Sequence, residues 1–539
     1  MSMKSLNYII CGILGIAFSL QAQVAPKNWF NLDPEKDQVN GVSTERSYSE
    51  LLKGKTPSPV IVAVIDSGVD FMHEDLKDVM WTNTREIPNN GKDDDKNGYV
   101  DDVHGWNFIG GKNGENVNED NLEMARVYKA LKEKYEGKVP QDFKTSKEKE
   151  ECKLFLSAKT DLEQQRTEIN QLAERYLPLY DKLSALNDAV KKSSGKSKIT
   201  FAELQAYTPV NDTEKENKER FSKRLSNSPE LSLDDLLGSL QEAVDYINGQ
   251  LKFNLNPDLN TRSIVGDNYN NSNEKYYGNS DCKGPESFHG THVAGIIAAK
   301  RNNGIGMDGI CNSALIMSVR AVPNGDERDK DVANAIRYAV DNGAKIINMS
   351  FGKKYPWDKK AVDDAVRYAA SKGVLLIHAA GNDHVNIDSV SHFPCKSFLD
   401  GKTAENFIDI GALSWKQGDN LVADFSNYGK KTVDVFAPGV DIYSTAPENK
   451  YKNASGTSMA CPVTAGVAAV LKSYYPFLTP VQLKEILLKS STAAYKNLIL
   501  NTEVSEGPSQ AIAFGELSQT GGIVNLYKAL QLEIGRAHV

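Results

Sequence analysis

Cysteine is scarce, with six in 539 residues, so a small disulfide-stapled scaffold is excluded. Cys11 lies in the amino-terminal apolar run, and the remaining five leave at least one thiol unpaired in an exported chain. A surplus of positive charge is also missing. Acidic residues number 71 against 63 basic ones, a net charge of -8 without a basic run, so nucleic acid is not expected as a partner. Tandem repeats and low-complexity tracts are absent. Long apolar stretches are limited to Tyr8 to Leu20, which follows Lys4 and leads into Leu20-Gln21-Ala22-Gln23. That pattern predicts a signal peptide over 1–22, cleaved near Ala22, and a secreted or periplasmic mature chain with no transmembrane segment.

What is present suits a folded enzyme: 40% hydrophobic and 25% charged residues provide a sizeable core. Two parts of one domain are expected at 59–118 and 252–532; within them, from Pro59 to about Asn107 and again from Phe288 to about Leu532, short apolar runs alternate with amphipathic helical patterns, the signature of a parallel sheet covered by helices. Strands are expected at Val60 to Ile65, Leu315 to Val322, Lys345 to Met349, Val374 to Ala379 and Val433 to Ala437. Helices are expected at Val332 to Asn342, Trp357 to Lys372 and Pro480 to Ser490.

The segment 119–251 differs in kind, with 47 of its 133 residues charged and only 4 of the 40 glycines. Leu162, Ile169, Leu172, Tyr176, Leu179, Leu183, Leu186 and Val190 form a heptad-like stripe interrupted by Pro178. Leu233, Leu236, Leu240, Val244, Ile247 and Leu251 form a second stripe, and Thr200 with Glu203 makes a capping box. An inserted helical hairpin is expected, as an excursion or a docking arm. Residues 23–58 read as an amino-terminal extension. The closing residues 533–539, Glu-Ile-Gly-Arg-Ala-His-Val, match a translated sequencing adapter and are expected to be an artefact.

Three stretches carry chemistry: Ala63-Val64-Ile65-Asp66-Ser67-Gly68, His289-Gly290-Thr291-His292-Val293-Ala294-Gly295, and Gly456-Thr457-Ser458-Met459-Ala460-Cys461-Pro462. Asp66 ends an apolar run, His289 opens a helical pattern, and Ser458 begins another. A serine hydroxyl becomes a strong nucleophile when an imidazole takes its proton and a carboxylate holds that imidazole. At a helix start, unpaired N–H groups and the positive dipole end favour an oxyanion. Asp66, His289 and Ser458 are therefore the expected catalytic set for acyl transfer. His292, one turn beyond His289, reads as a packing residue, and His378 as a satisfied core side chain.

These motifs, in this order, resemble the subtilisin-like serine peptidase family. The resemblance implies an α/β fold with a mainly parallel sheet flanked by helices, and secreted serine endopeptidase activity on polypeptide substrates by a monomer with no cofactor for the chemistry. Ala379-Ala380-Gly381-Asn382 looks like the family segment whose asparagine donates to the oxyanion, which implies that role for Asn382. Ala379, Ala380 and Gly381, with Ser350, Phe351 and Gly352, are implied to bind substrate, with Ser318 to Val322 facing them across the cleft as a strand edge. The chain departs from compact members in three ways. The insertion separates Asp66 from His289, Val463 stands where many relatives have histidine, and the segment ahead of Val60 is too short for an inhibitory folding domain. A catalytically silent pseudopeptidase that binds partners through its insertion is the rival reading.

Asp93-Asp94-Asp95-Lys96-Asn97-Gly98-Tyr99-Val100-Asp101-Asp102 alternates oxygen side chains and has glycine at its sixth position, like the opening of an EF-hand loop, but its twelfth position is His104. A structural calcium is expected on Asp93, Asp95, Asn97, the Tyr99 carbonyl and Asp102. A metal-free acidic turn is the alternative.

Overall fold

Val60–Asp66 (β1) is apolar on both faces, with every residue but Ile61 buried, as a strand covered on both sides must be. In this computed structural model, which describes residues 24–228, 230–493, 495–502 and 510–537, β1 is an interior strand of a seven-stranded parallel sheet. Its companions are Gly105–Asn107 (β2), Ala314–Arg320 (β3), Ile346–Met349 (β4), Leu375–Ala379 (β5), Phe407–Leu413 (β6) and Val435–Pro438 (β7). The spatial order is β2-β3-β1-β4-β5-β6-β7, and every pairing is parallel.

The alternation of side chains along β1 divides the core. Val60, Val62 and Val64 join the buried helices Phe288–Ala298 (α1) and, further along, Thr457–Tyr474, while Ala63 and Ile65 face Asp329–Asp341 (α2) and Lys359–Ser371 (α3). Thr457–Tyr474 is α4, and Pro480–Lys489 is α5. The expected strands and helices of this unit are present, each with shifted ends. The sequence reading missed β2 and β6. In β6, Asp409 and Gly411 interrupt the apolar run that marks a strand, yet all seven residues are buried.

Trp29 and Phe30 of the amino-terminal segment have 0% exposure and belong to the same core as β1. The Trp29 indole N–H donates to the Val440 carbonyl at 3.2 Å. Trp29→Ala is expected to lose about 3–5 kcal/mol, read from the midpoint of urea unfolding; an unchanged midpoint would detach this segment from the core.

Residues 124–259 form a separate compact unit. Its main element is the helix Ser146–Ser194, capped by Thr145 with Glu148 and closed by Gly195 in the left-handed conformation. The helix runs through Pro178 rather than breaking there. Buried residues on both sides of the proline, Ile169 and Tyr176 before it and Leu183, Leu186 and Val190 after it, offset the roughly 3 kcal/mol that an interior proline costs. Leu233 and Leu236 of the helix Leu233–Gly249 pack on the latter group, and Phe221 and Leu225 come from a third helix, Asp212–Leu225. No helix among the described residues is long and apolar enough to cross a membrane. The five described cysteines are free thiols.

Candidate active site

Asp66 is the last residue of β1, and its carbonyl accepts the N–H groups of Ala321 and Val322 just past β3. The start of α1 rests on this strand end because residue 290 is glycine: a Cβ there would lie 2.2 Å from the Gly68 oxygen and 3.2 Å from the Asp66 Cβ. That close approach brings His289 Nδ1 within 2.7 Å of Asp66 Oδ1. The same oxygen accepts the Ser67 N–H at 2.7 Å. The carboxylate is buried while the imidazole side chain is 37% exposed, so the charge is fixed inside and the ring faces the cleft. Desolvation is the largest influence on the ring and lowers its pKa. The Asp66 charge and hydrogen bond outweigh it, so His289 titrates above the ordinary histidine value.

Ser458 is the second residue of α4. Pro462, four residues on, has no N–H to return to the Ser458 carbonyl. That carbonyl instead accepts the Ser350 hydroxyl at 2.9 Å, and the Ser458 hydroxyl donates to the Ser350 carbonyl at 3.0 Å. Asn348 Nδ2 in turn donates to Ser350 Oγ at 2.9 Å. The nucleophile candidate is thus held against the end of β4, and among the described residues the bond to the Ser350 carbonyl is the one its hydroxyl makes.

Asn382 presents its amide to the cleft through a relay. Its Oδ1 accepts both the N–H and the hydroxyl of Thr457, each at 2.9 Å, and Thr457 Oγ1 accepts the Gly381 N–H at 3.1 Å. One unpaired N–H of the helix start is thereby capped, and the hydrogen bonds of Asn382 fall on Oδ1, which fixes the amide with Nδ2 opposite Thr457. A Cβ built on Gly456 would lie 3.6 Å from both Asn382 Nδ2 and Ser458 N, so two donors flank one point beside the nucleophile. Gly381, at φ +100° and with Asn427 Nδ2 2.4 Å from any Cβ, can only be glycine. Thr457 was invisible as a functional residue in the sequence, although its place beside Ser458 at a helix start marks it as a capping candidate.

Ser350, Phe351 and Gly352 follow the end of β4, and Ala379 closes β5, from which Ala380 leads into Gly381. The expected substrate edge at Ser318 to Val322 is corrected. Residues 318–320 lie in β3, which is paired on one side by β2 and on the other by β1. Interior strands of a parallel sheet have no free backbone groups to offer, so pairing with a peptide is left to segments beyond the strand ends. His292 is buried, with Nε2 donating to the Lys452 carbonyl at 3.0 Å, and burial lowers it to about 4. His378 is buried against Asp409, Nδ1 to Oδ1 2.8 Å.

In the acidic loop, Glu86, Asp93 and Asp95 each bring a carboxylate oxygen within 4.8 Å of the others. Such an all-oxygen trio fits a hard cation. Glu86, seven residues ahead of Asp93, lies outside the pattern that the sequence offered. Asp102 is occupied elsewhere, accepting from Tyr338 Oη at 2.7 Å, Asn83 Nδ2 at 2.8 Å and Asn97 Nδ2 at 3.0 Å. Tyr99 packs its ring against Trp106 and Tyr338. Of the expected carboxylate ligands, Asp102 is not a member of the trio.

The sequence profile of the subtilase family matches residues 58–511. Over 186 residues the chain is 46% identical to a thermophilic serine proteinase of Bacillus sp. (strain AK1), which covers 34% of this chain and 42% of that protein. It is 42% identical over 191 residues to thermitase of Thermoactinomyces vulgaris, covering 34% and 61% of the two. Against subtilisin NAT of Bacillus subtilis subsp. natto, identity is 30% over 371 residues, covering 64% and 91%. The chain therefore spans about half the length of the first two relatives.

Proposed function

The chain belongs to the subtilase family, and on that premise we propose that it is an exported serine endopeptidase acting on polypeptides. The observation that carries this reading is the 2.7 Å bond by which buried Asp66 holds the exposed imidazole of His289. In the reaction, the Ser458 side chain turns from the Ser350 carbonyl to another staggered rotamer facing His289. His289 Nε2 takes the hydroxyl proton as Oγ bonds to the substrate carbonyl carbon. The oxyanion is met by Asn382 Nδ2 and the Ser458 N–H. The imidazolium then protonates the departing amine, and water hydrolyses the acyl-enzyme by the same proton path in reverse. A fluorophosphonate probe followed by mass spectrometry tests the assignment: the adduct is expected on Ser458, and an adduct on any other residue overturns it. The Ser458 hydroxyl's bond to Ser350 is one observation favouring a silent binding module; sustained casein turnover by the purified chain decides against that rival.

Gly456→Ala is expected to lower kcat by about 10²-fold, since its φ of 163° is extended backbone open to alanine while the new methyl sits where the oxyanion needs both donors. Stopped-flow acylation kinetics read the effect; full activity would move the oxyanion elsewhere.

We also propose a structural calcium on Glu86, Asp93 and Asp95, where the cation relieves the mutual repulsion of three gathered carboxylates. Chelator-stripped protein given calcium at about 100 times its Kd is expected to gain about 2.7 kcal/mol of stability, seen as a higher Tm by calorimetry. Asp93→Asn is expected to blunt that gain, and a Tm indifferent to calcium rejects the site.

A further inference from the structure

Within the unit formed by residues 124–259, the helices Ser146–Ser194, Asp212–Leu225 and Leu233–Gly249 leave a cavity of about 230 Å³ between them. Each helix contributes one buried apolar side chain to it: Tyr176, Phe221 and Leu236. Three of its ten lining residues are arginines, Arg175, Arg220 and Arg224, and none is acidic. Arg175 and Arg220 are exposed and Arg224 is half-buried, so the cavity has an apolar floor and a cationic rim.

The rim carries more positive charge than the fold needs. Arg220 and Arg224 stand one turn apart on the same helix face, where like charges repel. Among the described residues, Arg175 and Arg220 form no ion pair with a carboxylate, and the Arg175 guanidinium lies over the Tyr176 ring at 5.2 Å. Burial holds the Arg224 guanidinium below its ordinary pKa. An anion at the rim would relieve the repulsion and replace the lost solvation, and the planar fork of arginine suits a carboxylate.

We propose that this cavity binds the carboxyl-terminal residue of a polypeptide, with the terminal carboxylate on the arginines and a large apolar side chain on Tyr176, Phe221 and Leu236. At a peptide end the carboxylate and the last side chain branch from one carbon, so a single residue meets both rim and floor. An internal aspartate or glutamate brings the anion without the apolar branch. Size agrees, since an apolar cavity of about 150 Å³ holds benzene, which leaves room here for one phenylalanine or leucine side chain and its carboxylate. The choice of a peptide end over another carboxylate rests on the serine peptidase reading, because each hydrolysis it performs creates such an end.

Isothermal titration calorimetry on the full chain carrying Ser458→Ala, which leaves the peptide uncut, tests the site with acetyl-Ala-Ala-Phe as free acid and as amide. The acid is expected to bind at least about tenfold tighter than the amide, and tighter than acetyl-Ala-Ala-Gly acid. Arg220→Gln is expected to erase the preference for the acid; Arg175→Gln is a second variant, and both positions are exposed enough to change without opening the core. Equal binding of acid and amide overturns the proposal, as does an affinity unchanged in both arginine variants, which would put the peptide in the catalytic cleft. Octanoate displacing the peptide at lower concentration than the peptide acid itself also overturns it, in favour of a lipid acid. Fluorophosphonate labelling of the unaltered chain separates the two readings: labelling without acid-selective binding strikes this site alone, and acid-selective binding without labelling strikes the peptidase reading and keeps the site.

Discussion

Ser458→Ala is expected to reduce kcat on a good peptide substrate by about 10⁶-fold, the size of the loss when subtilisin, a member of the same family, is stripped of its nucleophile. The substitution removes one oxygen and leaves the cleft otherwise built. Asn382 stays oriented by Thr457, and the Ser350 hydroxyl keeps its acceptor on the residue 458 carbonyl. The one bond lost runs from Ser458 Oγ to the Ser350 carbonyl, worth about 1 kcal/mol. A nearly unchanged Tm together with abolished turnover therefore isolates the chemistry from the fold. Activity that survives in the alanine protein, freed of contaminating peptidases, would place the nucleophile elsewhere.

Asp66→Asn is expected to cost about 10⁴-fold in kcat and to move the pH profile. His289 works as a base only while neutral, so activity falls as pH drops through its pKa. The Asp66 charge and hydrogen bond raise that pKa above the ordinary histidine value. Asparagine carries no charge, so the acid limb of the kcat/KM profile is expected to shift to lower pH even as the plateau collapses. The plateau falls because an asparagine amide can donate to Nδ1, which forces the proton onto Nε2 and removes the lone pair that must receive the serine proton. A limb that stays at its original pH would show that Asp66 does not govern the imidazole's titration.

The parts of the site legible in the sequence are those whose function is written in contiguous residues. Asp66 could be placed at a strand end because six apolar residues precede it without interruption. Ser458 could be placed at a helix start because an apolar helical pattern follows it. The missed parts depend on partners distant in the chain. Strand β6 was hidden by Asp409, an acidic residue whose burial makes sense only beside His378 and Lys396. Glu86 became a candidate cation ligand only when the acidic loop folded back over it. Ser318 to Val322 read as an available edge because hydrophobicity announces a strand but says nothing about which neighbours flank it.

Local rules operate within one turn of helix or one strand, and at that range the order of residues sufficed to fix where the aspartate, histidine and serine stand on their elements, together with the parallel α/β class. Folding in three dimensions decided the rest. Pro462 freed a carbonyl that Ser350 then took, Thr457 fixed the Asn382 amide, and Gly290 let α1 settle on the end of β1. Each of these depends on atoms meeting at van der Waals or hydrogen-bonding distance across long chain separations, and pattern along the chain carries no measure of that distance.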